Sequence, residues 1–252
     1  MLRTRVIPCL LLSGGGLVKT VRFRKPTYVG DPVNAVNIYN QKEVDEVVVL
    51  DITATVERRP PPFQLISEIA TECFMPLTYG GGIRSLRDME TLFRSGVEKV
   101  ALNTAAVDDP QLVTAAAARF GSQAVVVSID AKRKRRGYRV CTNAGRRELK
   151  LDPAEHAREA QRLGAGEILL TSMDRDGTME GYDTELIRAV TSQVDVPVIA
   201  CGGAGSVEDF RRAVDEGGAS AVAAGSMVVF HGRNRAVLIN FPSRAELERV
   251  LS

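Results

Sequence analysis

The sequence predicts a single α/β domain in which eight parallel strands close into a (β/α)8 barrel. Three observations carry that reading. Short apolar runs alternate with helix-patterned stretches along the chain, as expected of a parallel sheet with crossover helices. Eight of each fit into 252 residues, and roughly 250 residues is the usual size of such a barrel. The two halves of the chain also repeat one another, as two half-barrels would.

Arg5 to Leu11 reads as the first strand and Ser13-Gly14-Gly15-Gly16 as a glycine-rich loop after it. The remaining strands are short apolar runs: Glu46 to Ile52, Pro76 to Tyr79, Lys99 to Leu102, Ala124 to Asp130, Glu167 to Ser172, Pro197 to Ala200 and Ala219 to Ala224. Helices open on proline at Pro32 (to about Gln41), Pro110 (to Phe120) and Pro153 (to Leu163). Others open on serine or aspartate at Ser85 (to Ser95), Asp183 (to Val194), Ser206 (to Glu216) and Ser243 (to Leu251), and one runs from Phe63 to Glu72. No linker or low-complexity tract marks a second domain, so residues 1–252 form one unit.

The repeat is specific in its spacing. Pro76, Gly81, Gly82, Ser85 and Asp88 recur as Pro197, Gly202, Gly203, Ser206 and Asp209, an offset of 202 − 81 = 121. The same offset pairs Glu46 with Glu167 and Gly96 with Gly217.

Composition excludes several classes. Thirty-three basic against 31 acidic residues leave a net charge of +2, which argues against bulk nucleic-acid binding. No apolar run reaches the roughly 20 residues that span a bilayer. The start, Met1-Leu2-Arg3-Thr4-Arg5, runs into strand pattern without a signal-peptide core. Cys9, Cys73, Cys141 and Cys201 are widely spaced, so a cytoplasmic chain with reduced thiols is expected. With only His156 and His231, neither a metal site nor a cofactor is expected.

The chemistry centres on Val127-Ser128-Ile129-Asp130-Ala131-Lys132. Asp130 stands where a fully buried strand runs out, a poor place for stability and a good one for catalysis. Glycine turns after odd strands (Gly81, Gly82; Gly202, Gly203) and small polar residues after even ones (Asn103, Thr104; Gly225, Ser226) offer backbone N–H groups to phosphate. Two such sites suggest a ligand with phosphate at both ends; each turn alone could equally be a tight connection. Asp174-Arg175-Asp176-Gly177-Thr178 either holds ligand or is a turn held by its own hydrogen bonds. Lys19, in the first loop, either reaches an anion or moves as part of a lid. The run Lys132-Arg133-Lys134-Arg135-Arg136 would rim the barrel mouth, as solvated loop or as an attractor of anionic substrate. At the opposite end, Arg5, Glu46, Lys99 and Glu167 begin their strands. Inward-facing charges there must pair, and two of each sign could close a ring.

These residues resemble the cyclase subunit of imidazole glycerol phosphate synthase, from Arg5 to about Ser226. The resemblance rests on Ile7-Pro8-Cys9-Leu10, Gly30-Asp31-Pro32, Leu50-Asp51-Ile52-Thr53-Ala54, Gly80-Gly81-Gly82-Ile83-Arg84-Ser85, Ser128-Ile129-Asp130-Ala131-Lys132 and the run from Gly164 through Thr171 to Thr178. It implies a TIM barrel with a glutaminase partner docked on the N-terminal face, forming a heterodimer. Ammonia would pass the ring of Arg5, Glu46, Lys99 and Glu167. It would meet a bis-phosphorylated ribosyl-aminoimidazole-carboxamide at the other face. Asp130 matches the family's general acid, and Lys19, Asn103 and Asp176 its supporting site residues; Thr171 lies in a matching run.

One departure bears on function. The family's second catalytic aspartate, the general base, falls at Leu11, and the repeat agrees because Cys9-Leu10-Leu11 aligns with Ser128-Ile129-Asp130. Cys201 replaces a usual serine, and the tail from His231 to Pro242 also differs. Leu11, Leu12 and the tail resemble a divergent branch that works beside a sugar amidotransferase in making acetamidino groups on surface-polysaccharide sugars. The leading expectation is therefore an ammonia-delivering barrel of that branch. The alternatives are a true cyclase of histidine biosynthesis, and a stand-alone phosphosugar isomerase or inactive scaffold.

Overall fold

A computed structural model describes residues 4–232 and 234–251. The charged start at Met1-Leu2-Arg3, tail residue Arg233 and Ser252 lie outside the described residues. In chain order the elements begin with β1 (Arg5–Ser13), β2 (Gly16–Val21), β3 (Arg24–Gly30), α1 (Pro32–Gln41), β4 (Val47–Asp51), α2 (Phe63–Glu72), β5 (Leu77–Gly80) and α3 (Leu86–Arg94). They continue with β6 (Lys99–Leu102), α4 (Thr104–Asp108), α5 (Pro110–Phe120), β7 (Val125–Arg133), β8 (Tyr138–Thr142), β9 (Arg147–Glu148) and α6 (Pro153–Arg162). The last are β10 (Glu167–Ser172), α7 (Thr184–Thr191), β11 (Val198–Cys201), α8 (Val207–Asp215), β12 (Ala221–Ala224), β13 (Phe230–His231), β14 (Ala236–Val237) and α9 (Arg244–Leu251).

Eight strands pair in parallel around a closed circuit: β1, β4, β5, β6, β7, β10, β11, β12 and back to β1. With helices between successive strands, this is a (β/α)8 TIM barrel. Strand alternation sorts the apolar residues into two cores. One fills the barrel, with Ile7, Val48, Ala101, Val126, Leu169, Ile199 and Ala223. The other lies between the strands and the helices, with Val6, Leu10, Val49, Tyr79, Val127, Leu170 and Phe210.

The half-barrel repeat is visible in backbone conformation. Ser85 and Ser206 cap equivalent helices at φ −149°, ψ 160° and φ −149°, ψ 166°. Asn103 and Gly225 end equivalent strands at φ −106°, ψ −81° and φ −106°, ψ −82°. Asp88 accepts from the Arg84 N–H, and Asp209 in the same way accepts from the Gly205 and Ser206 N–H groups.

Two hairpins were not expected. The glycine loop after the first strand is a turn into β2, which folds back on β1 and is itself paired with β3. Lys19 therefore stands on a strand and not in a loop. The basic run after Asp130 also begins as strand, because β7 continues to Arg133 and pairs antiparallel with β8 from Asp130–Cys141 onward. Asp130 marks the point where the barrel ladder, still paired to Thr171 of β10, passes into that hairpin.

Candidate functional site

The C-terminal mouth of the barrel holds a cavity of about 140 Å³. Of the residues expected at the site, it gathers Asp130, Gly81, Gly82, Asn103, Thr104, Thr171 and Asp176. Leu11 lines it as well, as do Cys9, Thr20, Phe23, Asp51, Thr55, Ser128 and Cys201. Lys19, Gly177, Gly202, Gly203, Gly225 and Ser226 do not. The first-half glycine turn thus lines the cavity, and the second-half turns lie outside its lining.

Asp130 is buried. Loss of hydration destabilises its charged form, and the nearby Asp176 carboxylate adds to this, so its pKa rises to about 7. Asp176 is also raised by burial, with hydrogen bonds from Thr20 and Phe23 and the Lys19 charge opposing the shift. Thr20 Oγ1 donates to Asp176 Oδ2 at 2.7 Å and the Phe23 N–H to the same oxygen at 3.3 Å. The Arg22 N–H donates to the Asp176 carbonyl at 2.8 Å. Gly177 must be glycine: a Cβ there would stand 2.0 Å from the Thr20 carbonyl oxygen. Asp176 and Gly177 therefore latch the β2–β3 hairpin down over the mouth. The rest of their turn is held internally, by Thr178 Oγ1 on the Arg175 carbonyl at 2.8 Å.

Lys19 is buried beneath that hairpin and donates through Nζ to the Cys9 carbonyl. Burial lowers its pKa, opposed by Cys9, Asp176 and Cys201. Its ammonium lies against the Gly225 turn, where an added Cβ would meet Nζ at 2.8 Å. Lys19 thus brings its cation to the Gly225–Ser226 turn of the second half. Gly81 has room only for hydrogen, since a Cβ would approach the Asp51 carbonyl oxygen to 2.4 Å. The Gly82 N–H donates to Thr55 Oγ1 at 3.2 Å, a long bond that an incoming phosphate oxygen could replace. Asn103 Nδ2 donates to the Ser128 carbonyl at 2.9 Å, and Thr104 Oγ1 accepts from the Asn143 N–H at 2.9 Å.

Asp51 was left out of the site on sequence, although it ends β4 as Asp130 ends the barrel portion of β7. The rule that singled out Asp130 marks it equally. Its Oδ1 accepts from Thr53 N, Thr53 Oγ1 and Ala54 N, each at 2.9 Å. Cys201 shares the barrel core with Cys9, and the neighbouring thiol and burial together raise its pKa; all four cysteines are free of disulfides.

At the opposite end, the expected charges close into a ring. Arg5 spans Glu46 Oε2 at 2.6 Å and Glu167 Oε1 at 2.7 Å, and Lys99 Nζ spans the same carboxylates at 3.0 Å each. Thr78 Oγ1 donates to Glu46 Oε1 at 2.8 Å. Each carboxylate thus has two cationic partners, which is what makes such burial tolerable.

The basic run is held by partners at its start. The Arg133 guanidinium lies 4.9 Å from the Tyr138 ring centroid and pairs with Glu185 at 2.6 Å and Asp183 at 3.3 Å. Lys134 pairs with Glu148 at 2.8 Å. Arg135 and Arg136 are exposed. Among the described residues no group of three or more His, Cys, Asp or Glu side chains could hold a metal ion, and no helix is long and apolar enough to cross a membrane.

Comparison with known proteins gives the chain's family. The pattern of the family described as "Histidine biosynthesis protein" matches residues 5–234. A Pseudomonas aeruginosa protein, provisionally named imidazole glycerol phosphate synthase subunit hisF2, is 51% identical over 98% of this chain and 99% of its own. The imidazole glycerol phosphate synthase subunit HisF of Hyphomonas neptunium is 54% identical over 92% of this chain and 91% of its own. That of Dehalococcoides mccartyi is 48% identical over 92% and 90%.

Proposed function

The chain belongs to the histidine biosynthesis protein family, among HisF-type subunits of imidazole glycerol phosphate synthase, and from that premise we propose that it is the cyclase barrel of such a synthase. In this reading a glutaminase partner docks on the charged floor, and ammonia enters past Arg5, Glu46, Lys99 and Glu167. At the mouth it meets the bis-phosphorylated ribosyl-aminoimidazole-carboxamide, and the products are imidazole glycerol phosphate and the aminoimidazole carboxamide ribotide. The relatives' names support this reading over the acetamidino-sugar branch expected from sequence.

The observation that carries the proposal is the placement of Asp130, buried at the barrel mouth where β7 leaves the ladder and lining the cavity. A carboxyl group with a pKa of about 7 is well poised to give or take a proton at neutral pH. The attacking nitrogen must lose protons and the departing carboxamide amine must gain one. With leucine at position 11, the second proton transfer falls to Asp176, a half-buried acid that shares the cavity. The cavity of about 140 Å³ is far below the ~300–1,000 Å³ of ordinary ligand sites. In this reading the β2–β3 hairpin lifts to admit the substrate. Lifting also releases Asp176 from Thr20 and Phe23 and clears Lys19 from the Gly225 turn.

Leu11 favours a second reading, in which the barrel passes ammonia to a sugar amidotransferase and leaves the amidation to that protein. Expression in a histidine auxotroph lacking its own cyclase subunit, together with the cognate glutaminase, separates the two. Robust rescue is expected for the cyclase. No rescue, with a glutaminase still co-purifying, would favour the sugar-linked reading.

A further inference from the structure

Among the described residues five large apolar side chains are exposed: Val21, Tyr28, Phe74, Val237 and Leu238. Four of them lie on or beside the hairpins that follow β1 and β12, at the mouth end of the barrel. Phe74 is the exception and the most exposed of the five, at 86%. It stands between the end of α2 and the start of β5, in a connection that leads into a barrel strand. Connections of that kind lie at the N-terminal ends of the strands, so Phe74 belongs to the same face as the charged floor.

The connection is stitched to that ring on both sides. The Pro76 carbonyl accepts from the N–H of Val47, the residue after Glu46, at 2.9 Å. The Leu77 carbonyl accepts from the N–H of Glu98, the residue before Lys99, also at 2.9 Å. Its backbone is braced as well. The Phe74 N–H donates to Asn40 Oδ1 at 3.1 Å, and Asn40 Nδ2 donates to the Glu72 carbonyl. Cys73 Sγ donates to the Met75 carbonyl at 3.2 Å. A lone exposed apolar side chain is ordinary on a protein surface. One carried on a braced turn can be buried with little further loss of backbone freedom. The surroundings fit an interface too. Cys73, Met75 and Pro76 are half-buried beside the ring, and the connections on either side carry the exposed Lys42, Glu43 and Glu98. An apolar centre within a polar rim is the usual anatomy of a docking patch.

We infer that Phe74 is the apolar anchor of the glutaminase-docking face, seated in an apolar pocket of that partner beside its ammonia exit. The inference rests on the reading in which ammonia enters past Arg5, Glu46, Lys99 and Glu167. That reading needs a junction from which water is kept out, because charged groups alone leave it wet and let ammonia escape or take up a proton. A buried phenyl ring next to the gate supplies the seal, as aromatic anchors do at the centre of other interfaces.

Titration calorimetry of the full chain with the purified cognate glutaminase tests this without requiring turnover. Phe74→Ser is expected to weaken binding about 30-fold or more. Phe74→Tyr, which keeps the ring, should stay within about threefold of the parent. Tyr28→Ser, which removes an exposed aromatic at the mouth, should stay within about twofold. The Phe74 side chain is exposed, so thermal melting of its variants should match the parent. Undiminished binding by Phe74→Ser, or an equal loss in Tyr28→Ser, would overturn this inference and leave docking at the floor standing. A parent chain that does not bind the glutaminase would overturn both.

Discussion

Asp176 stands near enough to Asp130 in the mouth cavity that its negative charge adds to burial in raising the Asp130 pKa to about 7. A carboxyl raised this far works against the fold once ionised. Its folded pKa exceeds the ordinary 3.8, so the native state holds the proton more tightly than the unfolded chain does. Stability from this group is full below about pH 4, is lost as pH climbs toward 7, and stays lost above it.

Asp130→Asn should therefore separate catalysis from stability. Thermal melting is expected to show the variant more stable than the parent at pH 8, by up to about 4 kcal/mol, with the gap closing near pH 4. Cyclisation with ammonium as nitrogen source should fall by about 10²-fold or more. Equal melting of the two proteins at both pH values would refute the raised pKa.

Leu11→Asp places a fourth carboxylate in the cavity, beside Asp51, Asp130 and Asp176. If Asp176 is an improvised base, the restored acid should raise ammonia-dependent cyclisation by about tenfold or more. The added charge should also push Asp130 higher still, visible as an alkaline shift in the pH–rate profile. An unchanged rate would mean that base strength does not limit the step.

Thr20→Val removes the hydroxyl that donates to Asp176 at 2.7 Å. A hydrogen bond to a charged acceptor is worth about 1.5–3 kcal/mol. Amide exchange at Arg22 and Phe23, whose N–H groups donate to Asp176, is expected to accelerate by about tenfold or more. Amides of the α7 helix should be unaffected; uniform acceleration would indicate global loss of stability instead.

Glu46→Gln leaves Arg5 and Lys99 each short of a partner at the floor. Breaking a buried ion pair on one side costs about 3 kcal/mol, readable in urea unfolding. Lys99→Met should change turnover with glutamine, supplied through the partner, far more than turnover with free ammonium salts. Parallel losses with both nitrogen sources would argue against a gate.

Much of this was legible in the chain. Barrel strands such as Val47–Asp51 and Ala221–Ala224 are buried on both faces, and their continuous apolar runs show it. The charged ring was readable because Glu46 and Glu167 occupy repeat-related strand starts. The hairpins were not, because β3 has five exposed residues in succession and carries no apolar alternation. The signal that was available lay in Gly14 and Gly15. Both adopt positive φ, +59° and +84°, as the two-residue turn of a hairpin requires, but read as a plain glycine loop they concealed β2. That misreading also misplaced Lys19. The approach of Lys19 Nζ to the Gly225 turn depends on where a buried lysine from another strand comes to rest, which no local pattern encodes.

The outer strand of that hairpin has one open flank, since among the described residues β3 bonds to β2 alone. Open flanks invite further strands, yet this one carries Arg24, Lys25 and Pro26 in sequence, Lys25 is turned into the left-handed region at φ +51°, and the ladder to β2 shifts register twice. Charge, a missing donor and a twisted edge are the usual defences against sheet extension. A flap over the barrel mouth with such an edge can shift without sticking to another copy of itself.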